Sequence, residues 1–286
     1  MWVIGYTDFE RISPVFRGNT GRKLAGIIMR FLSIDRVNQV YEHSIDYQGV
    51  EFSTRLLDDL GVNYLVGNSE RLDLLPDGAF ITVSNHPYGG LDGIITIELI
   101  GKFRPDFRFM VNRFVAMVKT MEENFISVMP VADKKISLSA VNIRAIRETI
   151  GLLQKGHPAG FFPSGAVSDF RFSDFRIRDR DWQDSILHQI FAAKVPVLPI
   201  RFFGRNSLFF YFLGLIDWRI RSLRLPSEVF NKKGNKVKIG IGQLITPEEQ
   251  QQFASHQEFG DYLRKVVYEM PEPEIFISRK EMKIIR

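Results

Sequence analysis

Ala79-Phe80-Ile81-Thr82-Val83, running into Ser84-Asn85-His86-Pro87-Tyr88-Gly89-Gly90-Leu91-Asp92-Gly93, decides how this chain is read. The first five residues are apolar or β-branched and predict a strand. Pro87, Gly89 and Gly90 then bend the backbone, and residues 92–100 predict a helix. Strand, tight bend and helix form the repeating unit of an open α/β sheet, whose sites lie outside the carboxyl ends of the strands. His86 falls at such an end.

Imidazole titrates near neutrality, so His86 suits a general base, and Asp92 suits the carboxylate that holds Nδ1–H and turns Nε2 toward a substrate. Five residues separate the two, and the glycines let the chain fold back far enough for their side chains to meet. The same residues also fit a plain strand-to-helix turn in which Asp92 caps the helix and His86 is a satisfied polar side chain. Spacing alone leaves both readings open.

Outward from this stretch, the segment resembles the Asn-His-x-x-x-x-Asp block of the glycerolipid (lysophospholipid) acyltransferase superfamily. The form Asn-His-Pro-x-Gly-Gly-x-Asp-Gly, with its five-residue gap, is most similar to the haemolysin-like subgroup. Phe161-Phe162-Pro163-Ser164-Gly165-Ala166-Val167-Ser168 resembles the Phe-Pro-Glu-Gly-Thr-Arg-Ser block, and Val195-Pro196-Val197-Leu198-Pro199-Ile200 the last block. The matches keep the family order and together span about residues 79–200.

The resemblance implies transfer of an acyl chain from a thioester of acyl carrier protein or CoA to a lipid hydroxyl, with the thioester as co-substrate and no resident cofactor. His86 would deprotonate the hydroxyl and Asp92 would orient it. Asn85, Gly89, Gly90, Asn112, Arg113, Pro163, Ser164, Gly165 and Ser168 form the expected substrate-binding set, with loop amides near Gly165 or an arginine meeting the oxyanion. Two departures bear on the acceptor. Pro130-Val131-Ala132-Asp133 stand where glycerol-phosphate enzymes have an arginine, and Ser164 and Ala166-Val167 replace the glutamate and the Thr-Arg pair. Both favour an amino-acid-type lyso-lipid, such as the precursor of a glycine or ornithine lipid. A lysophosphatidic acid acyltransferase is one alternative, and a lipid hydrolase or haemolysin using water at the same site is another. No Gly-x-Ser-x-Gly elbow supports a serine hydrolase, and intact His86 and Asp92 argue against a non-catalytic lipid-binding protein.

At 286 residues the chain buries a sizeable core. It has no cysteine, which excludes disulfides and thiolate chemistry and fits a reducing compartment. The five histidines show no His-Glu-x-x-His spacing, so no metal is expected. A net charge of +5 favours an anionic partner. Lysines and arginines are interspersed with acids and no nucleic-acid motif occurs, so a membrane surface or an acidic carrier is expected rather than nucleic acid.

Apolar periodicity predicts helices over residues 21–39, 50–60, 114–122, 137–155 and 247–268, and strands at 62–66, 79–83, 107–111, 125–131, 195–203 and 237–242. Residues 171–180 alternate arginines with apolar side chains, as in an exposed hairpin, and the tail from Pro271 reads as loosely held. The fold class is α/β, a mixed, largely parallel sheet flanked by helices, with an N-terminal helical extension (1–60) before an acyltransferase domain (61–286). Met1-Trp2-Val3-Ile4-Gly5-Tyr6 lacks the pattern of a secretory signal, so a cytoplasmic location is expected. Residues 208–216 are apolar throughout but about half as long as a spanning helix. Leu208, Phe209, Phe210, Trp218, Arg219 and Arg221 are therefore expected to make peripheral contact with the cytoplasmic membrane face, with burial of residues 208–216 inside the domain as the alternative.

Overall fold

A computed structural model of the chain describes residues 6, 7, 10, 13–112, 115–128 and 140–282, leaving aside the side chains of Phe31, Met117, Ala140, Val141 and Arg219. Helices α1 (Gly18–Phe31), α2 (Ile34–Ser44) and α3 (Gly49–Asp59) precede strand β1 (Asn63–Gly67). Then come β2 (Ile81–Ser84), α4 (Gly90–Gly101), β3 (Arg108–Asn112), β4 (Phe125–Val128), α5 (Ala140–Gln154) and β5 (Ala159–Phe161). A hairpin of β6 (Asp169–Arg171) and β7 (Arg176–Arg178) leads to α6 (Asp184–Ala193) and β8 (Val197–Phe203). The short helices α7 (Leu208–Ile216), α8 (Trp218–Leu223) and α9 (Leu225–Phe230) follow, then β9 (Lys236–Ile241), α10 (Pro247–Gln250), α11 (His256–Glu269) and β10 (Phe276–Ser278).

Among the described residues one sheet has eight strands in the order β10, β1, β9, β8, β2, β5, β3, β4. From β8 to β4 the pairing is parallel. β9 runs antiparallel to β8, and β10 antiparallel to β1. The fold is therefore the mixed, largely parallel α/β sheet expected from the sequence. β2 is buried along its whole length, as a central parallel strand covered on both faces must be. Ile81 and Val83 face a core with Phe161, Ile190 and Leu263, whereas Phe80 faces the other core with Ile95, Leu99 and Phe109. Gly160 lets Phe107 and Phe109 close over β5, because a Cβ there would stand 2.4 Å from the Phe109 ring.

Several elements differ from expectation, each for a tertiary reason. The helix read over residues 21–39 is two helices, broken where Ser33 takes the left-handed conformation (φ 59°) so that Ala25, Met29, Leu32 and Ile34 pack together. The helix read over 247–268 is also two, because Thr246 and Ser255 each cap a separate start. The described part of 114–122 forms 3-10 turns rather than an α-helix. The tail is not loose. β10 pairs with β1, and the buried Arg279 donates to Asp58 and, at 2.7 Å, to Glu98. Glu98 lies fully buried in α4, where a carboxylate requires partners. It also accepts from the Tyr64 hydroxyl and from Thr54, and pairs with Lys102.

Candidate active site

β2 ends at Ser84, and the Asn85 side chain extends the ladder past that end. Its amide donates to the Phe202 carbonyl (2.9 Å) and accepts from the Phe202 N–H (2.8 Å), tying the turn to β8. The next residue, His86, is thereby fixed at the carboxyl edge of the sheet. Gly89, at φ 82°, reverses the chain into α4, and a Cβ there would lie 2.8 Å from Leu225. One turn into α4, Asp92 comes back beneath the imidazole.

The two side chains meet. His86 Nδ1 lies 2.9 Å from Asp92 Oδ2, which also accepts from the backbone N–H groups of Tyr88 (2.8 Å) and Gly89 (3.1 Å). Asp92 is fully buried, and its Oδ1 has no hydrogen-bond partner among the described residues. Burial raises its pKa above the usual carboxylate range, against the opposing pull of His86 and the two N–H donors. An imidazolium on Nδ1 relieves that cost. Phe162 stacks on the imidazole, with centroids 3.9 Å apart and planes 16° from parallel, and so restrains the ring. Nε2 has no partner among the described residues, and the His86 side chain keeps 14% exposure, enough for a substrate group to approach.

A second buried carboxylate joins the site from the residue just after β7. Asp179 accepts from the His86 backbone N–H (3.0 Å) and from the Ser168 hydroxyl, while the Ser168 N–H donates to the His86 carbonyl (2.9 Å). Burial raises the Asp179 pKa, opposed by Ser168, by the nearby His86 and by the Tyr268 hydroxyl.

The remaining expected site residues divide. Gly89 and Gly90 form the turn. Asn85, Ser164 and Ser168, read as polar contacts for substrate, are buried and engaged within the protein: Asn85 on β8, the Ser164 hydroxyl on the Ala166 carbonyl (2.9 Å), and Ser168 on Asp179. The Gly165 N–H donates to the Phe162 carbonyl (2.9 Å), so that amide is not open to an oxyanion. Pro163 is buried and its carbonyl accepts from the Gln183 N–H (2.8 Å). Asn112 stands exposed at the exit of β3. Arg113 and Pro130-Val131-Ala132-Asp133 lie outside the described residues. A cleft of 870 Å³ between β4 and α5, lined by Arg108, Lys119, Arg144 and Glu148 among others, contains neither His86 nor Asp92.

Two of the residues expected at a membrane are corrected. Phe210 is fully buried, and Arg221 is buried against it with its guanidinium carbon 5.3 Å from the ring. Arg221 Nη1 reaches the Ser168 carbonyl (3.4 Å) and Asp169 (3.9 Å), so it anchors α8 to the hairpin instead of facing lipid. An amphipathic turn must put some side chains inward, and these are the ones. Leu208, Phe209 and Trp218 are exposed, together with Phe212, Leu215, Ile216, Ile220 and Leu223.

Asp179 and Phe162 were missed from sequence. Asp179 sits among exposed hairpin residues, and no periodicity sets it apart. Phe162 was legible: strand alternation sends Phe161 and Phe162 to opposite faces, so one of them had to face the neighbouring strand-end turn.

A buried carboxylate on Nδ1 of a histidine at the carboxyl edge of a parallel sheet is a geometry suited to base-assisted group transfer or hydrolysis. The chain belongs to the acyltransferase family, whose model, described as "Acyltransferase", matches residues 16–273. It is 26% identical over 243 residues to a lyso-glycine lipid O-acyltransferase of Bacteroides thetaiotaomicron, covering 82% of this chain and 85% of that protein. A lyso-glycine lipid O-acyltransferase of Phocaeicola vulgatus is 23% identical over 274 residues, covering 92% and 94%. Among solved structures, the 1-acyl-sn-glycerophosphate (LPA) acyltransferase PlsC of Thermotoga maritima shares the fold, with a TM-score of 0.50 at 19% identity over 93% of this chain and 91% of that one.

Proposed function

We propose that this acyltransferase moves a fatty acyl chain from an acyl thioester to the hydroxyl of an amino-acid-type lyso-lipid, with His86 as general base. The observation that carries the reading is the 2.9 Å contact between His86 Nδ1 and the buried Asp92. Nε2 takes the proton of the acceptor hydroxyl as its oxygen attacks the thioester carbonyl. Collapse of the tetrahedral intermediate forms the ester C–O bond and breaks the C–S bond, and the imidazolium returns the proton to the departing thiolate. Asp92 holds the Nδ1–H tautomer and offsets the positive charge that forms on the ring.

The acceptor class is supported by the two relatives named as lyso-glycine lipid O-acyltransferases and by Ala166 and Val167 standing where the phosphate-binding Thr-Arg pair of the resembling family is expected. A phosphate in a buried pocket needs a cationic partner to offset its desolvation, whereas an amide headgroup does not. The acceptor reaches the site from a bilayer, against which the exposed apolar side chains of α7 and α8 rest. The contact proposed is peripheral; no helix among the described residues is long and apolar enough to cross a membrane.

One set of assays tests the proposal: purified protein, one acyl thioester, and as acceptors an N-(3-hydroxyacyl) amino acid, lysophosphatidic acid, or water alone. The expected result is a higher kcat/KM for the amino-acid lipid. A clear preference for lysophosphatidic acid would replace the acceptor, and release of free fatty acid as the main product would replace transfer by hydrolysis.

A further inference from the structure

His86 is held by its backbone as well as by its ring. Both backbone hydrogen-bonding groups of this residue are taken by the two ends of the β6–β7 hairpin: its N–H by Asp179 and its carbonyl by the Ser168 N–H. Asp179 is fully buried and close to a second carboxylate, Asp92, an arrangement that electrostatics disfavours unless a positive charge sits between them. The carboxylate accepts from the His86 N–H and the Ser168 hydroxyl, while the Asp179 N–H donates to the Tyr268 hydroxyl (3.1 Å).

We propose that Asp179 is a positioning residue for acyl transfer: it fixes the turn that presents the His86 imidazole, and it adds a second negative charge beside the imidazolium that forms during the reaction. The proposal rests on His86 acting as the base. The groups facing Asp179 are His86 and Asp92 from the turn and α4, Ser168 from the head of the hairpin, and Tyr268 from α11, with Arg264 behind the Tyr268 ring at 5.9 Å. Ser168 holds the carboxylate and Tyr268 holds the Asp179 backbone, and neither neutralises the charge, which faces the histidine.

Asp179→Asn removes the charge while keeping an oxygen that can accept from the His86 N–H. Its kcat is expected to fall on the order of 10–100-fold with KM little changed, the size of loss that follows a small misplacement of a reacting group. The acid limb of kcat/KM is expected to move to lower pH, because an imidazolium with one fewer carboxylate beside it gives up its proton more readily. NMR of carbon-13-labelled histidine, with His86→Ala to assign the signal, reads the same shift without reference to activity. Ser168→Ala takes away a donor but leaves the charge, and should lower kcat by a smaller factor with the acid limb in place. Unchanged kcat in folded Asp179→Asn, a loss confined to KM, or a loss that follows thermal stability while the His86 titration stays fixed would each overturn the proposal. If Asp179→Asn does not fold, wild-type kcat in both Ser168→Ala and Tyr268→Phe would overturn it. Retained transfer by His86→Ala would instead remove the base reading on which the proposal stands, whatever Asp179 does.

Discussion

In the mechanism proposed above, His86 and Asp92 concentrate in two side chains a conflict between stability and chemistry. A fully buried carboxylate with one unpartnered oxygen is costly, and three donors on the other oxygen offset only part of that cost. Replacing Asp92 by Asn keeps an oxygen for the Tyr88 and Gly89 N–H groups. It also points an NH2 at the site where Oδ1 has no partner, and it deprives the imidazolium of its counter-charge. We expect Asp92→Asn and His86→Ala each to lower kcat by about 10²–10⁴-fold. His86→Ala should leave the unfolding temperature within a few degrees, since the imidazole adds little packing beyond Phe162. Steady-state kinetics and thermal melts on the purified variants check both, and near-wild-type turnover in either would refute the dyad.

At the scale of elements, the end of the sheet opposite His86 is closed by one arginine. Arg104, just after α4, is buried and donates to the carbonyls of Pro76 (2.7 Å), Gly78 (2.6 Å) and Gly156 (2.9 Å), and with two nitrogens to Asp106. It thus joins the loops entering β2 and β5 to the loop before β3. Burial pulls the Asp106 pKa upward, but hydrogen bonds from Arg104 and His157 outweigh it and leave the carboxyl below its ordinary range. A carboxyl whose folded pKa is depressed stabilises fully above its unfolded pKa and loses that contribution as pH falls through the folded value. Arg104→Ala should cost about 3 kcal/mol at neutral pH, because three part-buried carbonyls and Asp106 lose their donor together. Urea melts should find the gap between wild type and variant narrowing below about pH 4. A gap that is constant down to pH 2 would show that the carbonyls, not Asp106, carry the whole effect.

At the scale of the molecule, residues 169–180 and 205–224 carry eight arginines against four aspartates, most of the chain's net +5. These segments form the hairpin and α7–α8, where Phe172 and Phe175 at the hairpin tip stand 66% and 77% exposed beside the apolar helices. Apolar bulk edged by cations suits an anionic leaflet. Several of the arginines already pair with Asp169, Asp174 or Glu228, so the electrostatic share of binding should be modest and the apolar share substantial. We expect co-sedimentation with anionic vesicles at about 0.1 M salt and partial release near 1 M, as the screening length shrinks from about 10 Å to about 3 Å. Phe212→Ser/Ile216→Ser should abolish binding, and no detergent should be needed for release. Absence of binding at low salt, or retention until detergent is added, would refute peripheral docking.

By itself the sequence determined the parallel centre of the sheet, because the strand 79–83 is apolar on both faces and only a doubly covered strand tolerates that. It also placed His86 at a strand end, with Pro87, Gly89 and Gly90 allowing the chain to turn back toward Asp92, but the spacing alone left open whether the two side chains meet. These are local matters of covalent geometry and periodicity. Tertiary structure decided whatever depends on partners distant in sequence. It broke the N-terminal helix at Ser33 to pack Met29 against Ile34, and it strapped the tail down because Glu98 needs Arg279. It turned Phe210 and Arg221 inward, occupied Ser164 and Ser168 internally, and brought Asp179 to the His86 backbone. A buried charge takes its partner from wherever the fold supplies one, and neither composition nor spacing carries that information.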